Sequence, residues 1–190
     1  NLQMFLGILK SHDLSPEKRT EFLDMEAGQL NKLEFLLQSL IRMSRLETGT
    51  FTIHMEQANL YDTIARALNG VWAKAEKKNI GLSVECDGLV TAKCDPKWTA
   101  EALENLLDNA VKYTCQGGNI RISVRPWQFY TRVDISDTGI GIPETDYHKV
   151  FQRFWRGAEA SSFEGVGLGL YLAREIIRRR KGYISVTSKE

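Results

Sequence analysis

From Pro16 to about Thr48 the sequence runs with no interior proline and a single glycine, Gly28. Leu23, Leu30 and Leu37 recur every seven residues, Leu33 and Leu40 do the same, and Phe22, Leu36 and Met43 widen the stripe. That spacing specifies one long helix with one broad apolar face. Ser15 is placed as its N-cap, Pro16 as its first helical residue and Gly49 as its stop. Residues 1–10, with Leu2, Phe5, Leu6 and Leu9 apolar, read as the end of an earlier helix, and residues 11–16 as the turn between the two. A helical hairpin so thin leaves most of its stripe uncovered. It is expected to pair with a second copy of the chain as half of a dimeric four-helix bundle, the rival being packing on the domain that follows.

A composition change at Thr50 divides the sequence into a helical segment, 1–49, and a mixed segment, 50–190. Residues 51–55 are expected to form a strand, 59–77 an amphipathic helix capped by Asn59, and 80–85 and 90–94 short strands. Residues 101–113 form a helix with Pro96 in its first turn and Asp95 as N-cap. Gly117 and Gly118 then turn the chain into alternating runs at 119–125 and 128–135, a hairpin. Without a regular βαβ rhythm, the expected class is α+β: a helical hairpin followed by an α/β sandwich with a mixed, mostly antiparallel sheet.

The chain has 190 residues, 43% of them hydrophobic, and a net charge of +1, so a nucleic-acid surface is not its main purpose. No apolar run approaches the ~18 residues of a membrane span. Cys86, Cys94 and Cys115 form no CxxC pair and read as reduced thiols rather than a disulfide framework or metal site.

Four local patterns carry chemistry. On the 101–113 helix, Glu101, Asn105, Asn109 and Lys112 fall within about a quarter of the circumference. Asparagine competes for the helix backbone, so two on one stripe suggest side-chain oxygens kept for a ligand. Asp137-Thr138-Gly139-Ile140-Gly141-Ile142 ends a strand in a carboxylate and a tight turn with room for a flat ligand; the Asp can accept from an exocyclic amine. Residues 150–156 cluster Phe151, Phe154 and Trp155 with Arg153 and Arg156, and 157–164 reads as a mobile lid. Gly165-Val166-Gly167-Leu168-Gly169-Leu170 opens a helix running to about Lys181, where backbone N–H groups can approach phosphate oxygens. No GK[ST] follows, so Lys112 and Mg²⁺ are left to neutralise phosphate. Arg178 to Lys181 complement the helix dipole at its solvated end.

In this order, Asn105-x3-Asn109-Ala-x-Lys112-Tyr113, Asp137-x-Gly139-x-Gly141, Phe151-x-x-Phe154 and Gly165-x-Gly167-x-Gly169-Leu170 resemble the N, G1, F and G2 boxes of sensor histidine kinases. The segment ending Met43-Ser44-Arg45-Leu46-Glu47-Thr48-Gly49 is similar to that family's dimerisation and phosphotransfer hairpin. The resemblance implies a Bergerat-type ATP-binding fold shared with gyrase, MutL and heat-shock ATPases. It implies that Asn109 holds Mg²⁺, that Lys112 and Arg156, with Arg153, approach the phosphates, and that Tyr113 lies near the nucleotide. Asp137 reads the adenine amine; Gly139, Gly141 and Ile142 shape the adenine pocket; Gly165, Gly167, Leu168, Gly169 and Leu170 form the phosphate-side loop and hinge of the lid. Asn105 stands where related ATPases carry a glutamate base, and an amide cannot take a proton from water at neutral pH. That favours kinase over hydrolase, with Asn105, Lys112 and Arg156 as the catalytic set.

The implied activity is ATP–Mg²⁺-dependent phosphorylation of a histidine that passes phosphate to an aspartate on a response-regulator receiver domain. The implied setting is a homodimer, on the cytoplasmic side of a membrane sensor whose spans lie in absent upstream segments. Alternatives are a related-fold ATPase or serine kinase and a non-catalytic dimeric scaffold. Three departures stand out. His12, His54 and His148 all lack the His-Glu-x-x-x-Pro context of the phosphoacceptor, which is expected upstream of Asn1. Residues 183–188 read as a strand that the family usually pairs with one more. Val166 replaces a common Thr or Ser.

Overall fold

A computed structural model describes residues 7, 15–47, 53–157, 163 and 165–188. The chain forms two compact units, Asn1–Thr50 and Phe51–Glu190. In the first, helix α1 spans Pro16–Glu47, 32 residues. Its start matches the sequence expectation: Ser15 Oγ accepts from the Lys18 N–H at 3.4 Å, and Ser15 O accepts from Arg19 N at 3.0 Å. Leu23, Leu30, Leu33, Leu37 and Leu40 remain 43–58% exposed. The expected earlier helix and turn at 1–14 lie outside the described residues, save helical Gly7, as does the stop at Gly49.

The second unit runs β1 (Glu56–Asn59), α2 (Leu60–Lys77), β2 (Gly81–Glu85), β3 (Thr91–Cys94), α3 (Pro96–Tyr113), β4 (Asn119–Pro126), β5 (Thr131–Asp137), a 3-10 turn (Glu144–Asp146) and α4 (Gly169–Arg178). Strands β1 and β3 pair antiparallel, Glu56 opposite Cys94. The main sheet is ordered β2-β4-β5, parallel then antiparallel, with Gly81 opposite Asn119 and Ile120 opposite Asp137. β4 shows the alternation of a half-buried strand: Ile120, Ile122 and Val124 are buried while Arg121 and Arg125 are exposed. Leu103, Leu107, Ala110 and Val111 of α3 meet Ile64, Ala67 and Val71 of α2 and those β4 residues in one core. Helix α4 buries Leu172, Ala173 and Ile176 and packs along α3.

Three expectations need correction. The strand expected at 51–55 lies at Glu56–Asn59; of the earlier stretch, residues 53–55 form no strand and 51–52 lie outside the described residues. Its partner β3 ends at Cys94, and the next residue, Asp95, takes the His54 N–H on its carboxylate at 2.9 Å, which leaves no ladder to join. The second hairpin strand starts at Thr131, not Gln128, because the turn is wider: Trp127 N donates to Tyr130 O at 2.8 Å. Residues 183–188 form no strand. Their end is held by side-chain chemistry instead: Ser188 N donates to the Tyr147 hydroxyl at 2.6 Å, that hydroxyl donates to Ser188 O at 2.9 Å, and Ile142 N donates to Ser188 Oγ at 3.1 Å.

Candidate nucleotide site

Helix α3 starts as its sequence dictates. Asp95 Oδ1 accepts from Trp98 N at 3.0 Å, and Pro96 occupies the first turn, where no N–H is missed. With Leu103 and Leu107 fixed in the core, the helix period turns Glu101, Asn105, Asn109 and Lys112 to another side, where all are partly exposed. Asn105 Nδ2 donates back to Glu101 O at 2.8 Å and Asn109 Nδ2 to Asn105 O at 3.0 Å. Each carboxamide has spent a donor on its own helix, and neither Oδ1 is hydrogen-bonded among the described residues. This is the arrangement that presents oxygen ligands.

The first residue of α4 lies on that stripe: a Cβ on Gly169 would stand 3.3 Å from Asn105 Oδ1 and 3.4 Å from Asn109 Nδ2. No side chain caps α4, so its first-turn N–H groups stay available beside the asparagines. Leu168 is buried and anchors this start by packing, while Leu170 is half-buried. Gly167 has φ +74°, and a Cβ there would meet Trp155 O at 2.5 Å; Phe154 N donates to Gly167 O at 3.0 Å, which knits the aromatic segment to the loop.

Lys112 Nζ donates to the Tyr113 hydroxyl at 2.9 Å, lies over that ring at 4.5 Å, and sits 2.6 Å from where a Gly165 Cβ would be. Phe163 meets the Tyr113 ring edge-on at 5.1 Å, and Arg156 donates to Phe163 O. Lys112, Tyr113, Arg156 and Gly165 therefore form one connected cluster. Arg153 instead lies along α4, donating to the Tyr171 hydroxyl at 2.6 Å with its guanidinium 4.7 Å from the ring.

On the other side of Tyr113, Asp137 ends β5. Its Oδ1 accepts from Gly139 N at 2.9 Å, and a Gly139 Cβ would stand 2.6 Å from that oxygen and 2.7 Å from Tyr113 O. Only glycine fits. Ile140 N donates to Tyr113 O at 3.4 Å, and Gly141 takes φ +75°. Asp137 stays exposed, with its second oxygen outside that turn. Ile142 is tied through its N–H to Ser188. Sequence reasoning passed over Phe163, which sits in a segment without periodicity, and Lys78, which no motif marks.

The profile of the histidine kinase-, DNA gyrase B- and HSP90-like ATPases matches residues 94–190, from the last residue of β3 through every loop of this site. The chain belongs to that family. Within it the likeness is to bacterial sensor kinases. The adaptive-response sensory kinase SasA of Synechococcus sp. is 32% identical over 171 residues, 88% of this chain and 45% of its own length. The alginate biosynthesis sensor protein KinB of Pseudomonas aeruginosa is 27% identical, covering 99% of this chain and 32% of its own. The chain thus spans less than half the length of these relatives. The fold of the Acinetobacter baumannii histidine kinase AdeS superposes with a TM-score of 0.80 at 21% identity, over 99% of this chain and 87% of that one. The chain carries a bacterial histidine kinase catalytic domain with the ATP-binding α/β fold.

Proposed function

We propose that this chain is the ATP-binding core of a two-component sensor histidine kinase, with 50–190 as the catalytic domain and the helical segment as its dimerisation and phosphotransfer hairpin. The observation that supports the reading is that the asparagine stripe of α3 meets the uncapped start of α4 at Gly169, while the end of the same helix, at the Tyr113 carbonyl, meets the Asp137–Gly139 turn. Adenine is read by Asp137, in a pocket shaped by Gly139, Gly141 and Ile142. Phosphates lie toward Lys112, Arg156 and the loop from Gly165 to Leu170. Arg153, committed to Tyr171, contributes by fixing the aromatic segment on α4.

The donor set suits magnesium, a hard cation that takes one or two protein oxygens and keeps several waters. Asn109 would hold it, and the ion would neutralise charge on the phosphates. Asn105 keeps water unactivated, since a carboxamide is no base at neutral pH. The γ-phosphate is thereby saved for a protein nucleophile, and positioning with charge neutralisation is what phosphoryl transfer chiefly needs. None of His12, His54 and His148 has the acceptor context, so the acceptor is supplied from outside these residues. A solved complex of the histidine kinase ThkA with the response regulator TrrA shares the fold at TM-score 0.78 and 24% identity. By analogy the phosphate passes to a receiver-domain aspartate, and the setting is the cytoplasmic side of a membrane sensor; no described helix is long and apolar enough to cross a membrane. The exposed leucines of α1 support a homodimer.

Titration calorimetry with ATP–Mg²⁺ tests the site. Binding by the chain, weakened by ~30-fold or more in Asn109→Ala and in Asp137→Asn, is expected from loss of a charged or ligating contact. An acceptor hairpin supplied in trans should then gain acid-labile phosphate. Phosphoserine would move the reading to a serine kinase, and absence of nucleotide binding to a scaffold.

A further inference from the structure

The last turn of α3 carries Lys112 and Tyr113, and a helix end leaves four carbonyls without intrahelical partners. Here they are Val111, Lys112, Tyr113 and the C-cap Thr114, and all four are accounted for. The last intrahelical bond runs from Thr114 N to Ala110 O at 3.0 Å, and beyond it Tyr113 O accepts from Ile140 N at 3.4 Å. The other three accept from one ammonium: Lys78 Nζ donates to Val111 O at 2.9 Å, to Lys112 O at 2.8 Å and to Thr114 O at 3.1 Å. A lysine has three N–H donors, and each is used.

Lys78 is itself fixed. It is the C-cap of α2, its N–H turned onto Ala75 O, and its carbonyl accepts from Gly117 N at 3.0 Å. The next residue, Asn79, takes φ +51° and turns the chain into β2. One side chain therefore joins the end of α2 to the end of α3. Its charge also stands at the negative end of the α3 dipole.

We infer that Lys78 is a positioning residue for the phosphate end of the nucleotide site, acting through Lys112. The inference rests on the reading that Lys112 meets phosphate. Two anchors hold the last turn of α3. Ile140 ties it to the adenine-side loop, while Lys78 ties the carbonyl of Lys112 itself to the scaffold. Without Lys78 three carbonyls at the end of α3 lose their partner, the turn frays, and the Lys112 ammonium is no longer delivered to one place beside Gly165. Asp137, which reads adenine, sits on β5 and meets this turn through Gly139 and the Ile140–Tyr113 bond, not through Lys78.

The experiment measures ATP–Mg²⁺ and adenosine binding by calorimetry for the whole chain, Lys78→Met, Lys112→Ala and the double variant. Lys78→Met is expected to weaken ATP about tenfold and adenosine less than about twofold, and its effect on ATP should largely vanish in the Lys112→Ala background. Unchanged ATP binding would overturn the inference. So would equal losses for both nucleotides, or a loss that adds in full to that of Lys112→Ala; either would make Lys78 a purely structural cap. If Lys78→Met is unfolded at the assay temperature, Lys78→Arg decides. Its planar fork cannot converge on three carbonyls, so a loss of about threefold, again coupled to Lys112, is expected, and wild-type binding overturns. Failure of the unsubstituted chain to bind ATP would instead remove the reading of the site and this inference with it.

Discussion

The two units handle apolar side chains in opposite ways. In α1, five leucines on the heptad positions stay 43–58% exposed, while Glu26 and Ser39 are buried. In the second unit, Ile64, Leu107, Ile120 and Ile122 are each at most 1% exposed, and helix, strand and helix close around them. Both stretches are amphipathic in sequence, so periodicity alone does not tell them apart. What differs is the supply of complementary surface within the chain. The second unit holds a sheet with one apolar face and helices to cover it, and is complete as a core. A single long helix buries its stripe only against other helices, and its own propensity does not hold it. One region is stabilised from within; the other, on the proposed reading, by association.

The largest expected effect breaks that contrast directly. Leu30→Glu with Leu37→Glu should abolish self-association, because four leucines across two copies lose ~6 kcal/mol or more of burial. Sedimentation equilibrium reads the outcome, and ATP binding in the second unit should not change. A dimer that survives both substitutions would mean that α1 is not the seam. Next in size, Leu107→Ala removes an α3 side chain from the core that α3 shares with α2 and β4, and should cost about 3 kcal/mol in urea unfolding of the second unit. Leu37→Ala, already more than half exposed, should cost that unit nothing.

Legibility in the sequence followed the range of the interactions. The start of α3 was readable because Asp95, Pro96 and the Trp98 N–H lie within four residues of one another. The asparagine stripe was readable because helix period alone places it. The β1 register was not: it depends on where β3 ends and on an Asp95–His54 bond spanning 41 positions. The same separation divides Tyr147 from Ser188, and that clamp explains why 183–188, with strand-like composition, joins no ladder among the described residues. Within the candidate site, helix period marks the asparagine stripe and turn chemistry marks the Asp137–Gly139 turn. Lys78, more than thirty positions from the turn it holds, has no local signal at all. Composition says that a lysine is there; only the fold says which carbonyls it meets.

The smallest expected effects compare the same device in both units. Asn59 caps α2, its Oδ1 accepting from Asp62 N at 3.2 Å, while its Nδ2 reaches Gly88 O at 2.7 Å in the turn before β3. Ser15 caps α1 with one longer, exposed bond to Lys18 N. Asn59→Ala removes a cap and a tertiary tie and should cost about 2 kcal/mol, whereas Ser15→Ala should cost about 0.5 kcal/mol. The second value should also depend on pH. A backbone hydrogen bond, and then Ser15, hold the Glu17 carboxyl below its ordinary value. A depressed carboxyl adds stability that is present above its unfolded pKa and lost as pH falls through the folded one. The difference between the parent and Ser15→Ala should therefore be full at neutral pH and narrow in acid, read from thermal midpoints at a series of pH values. A pH-independent gap for Ser15 would show that its cap acts on the backbone alone, and that the start of α1 owes nothing to Glu17.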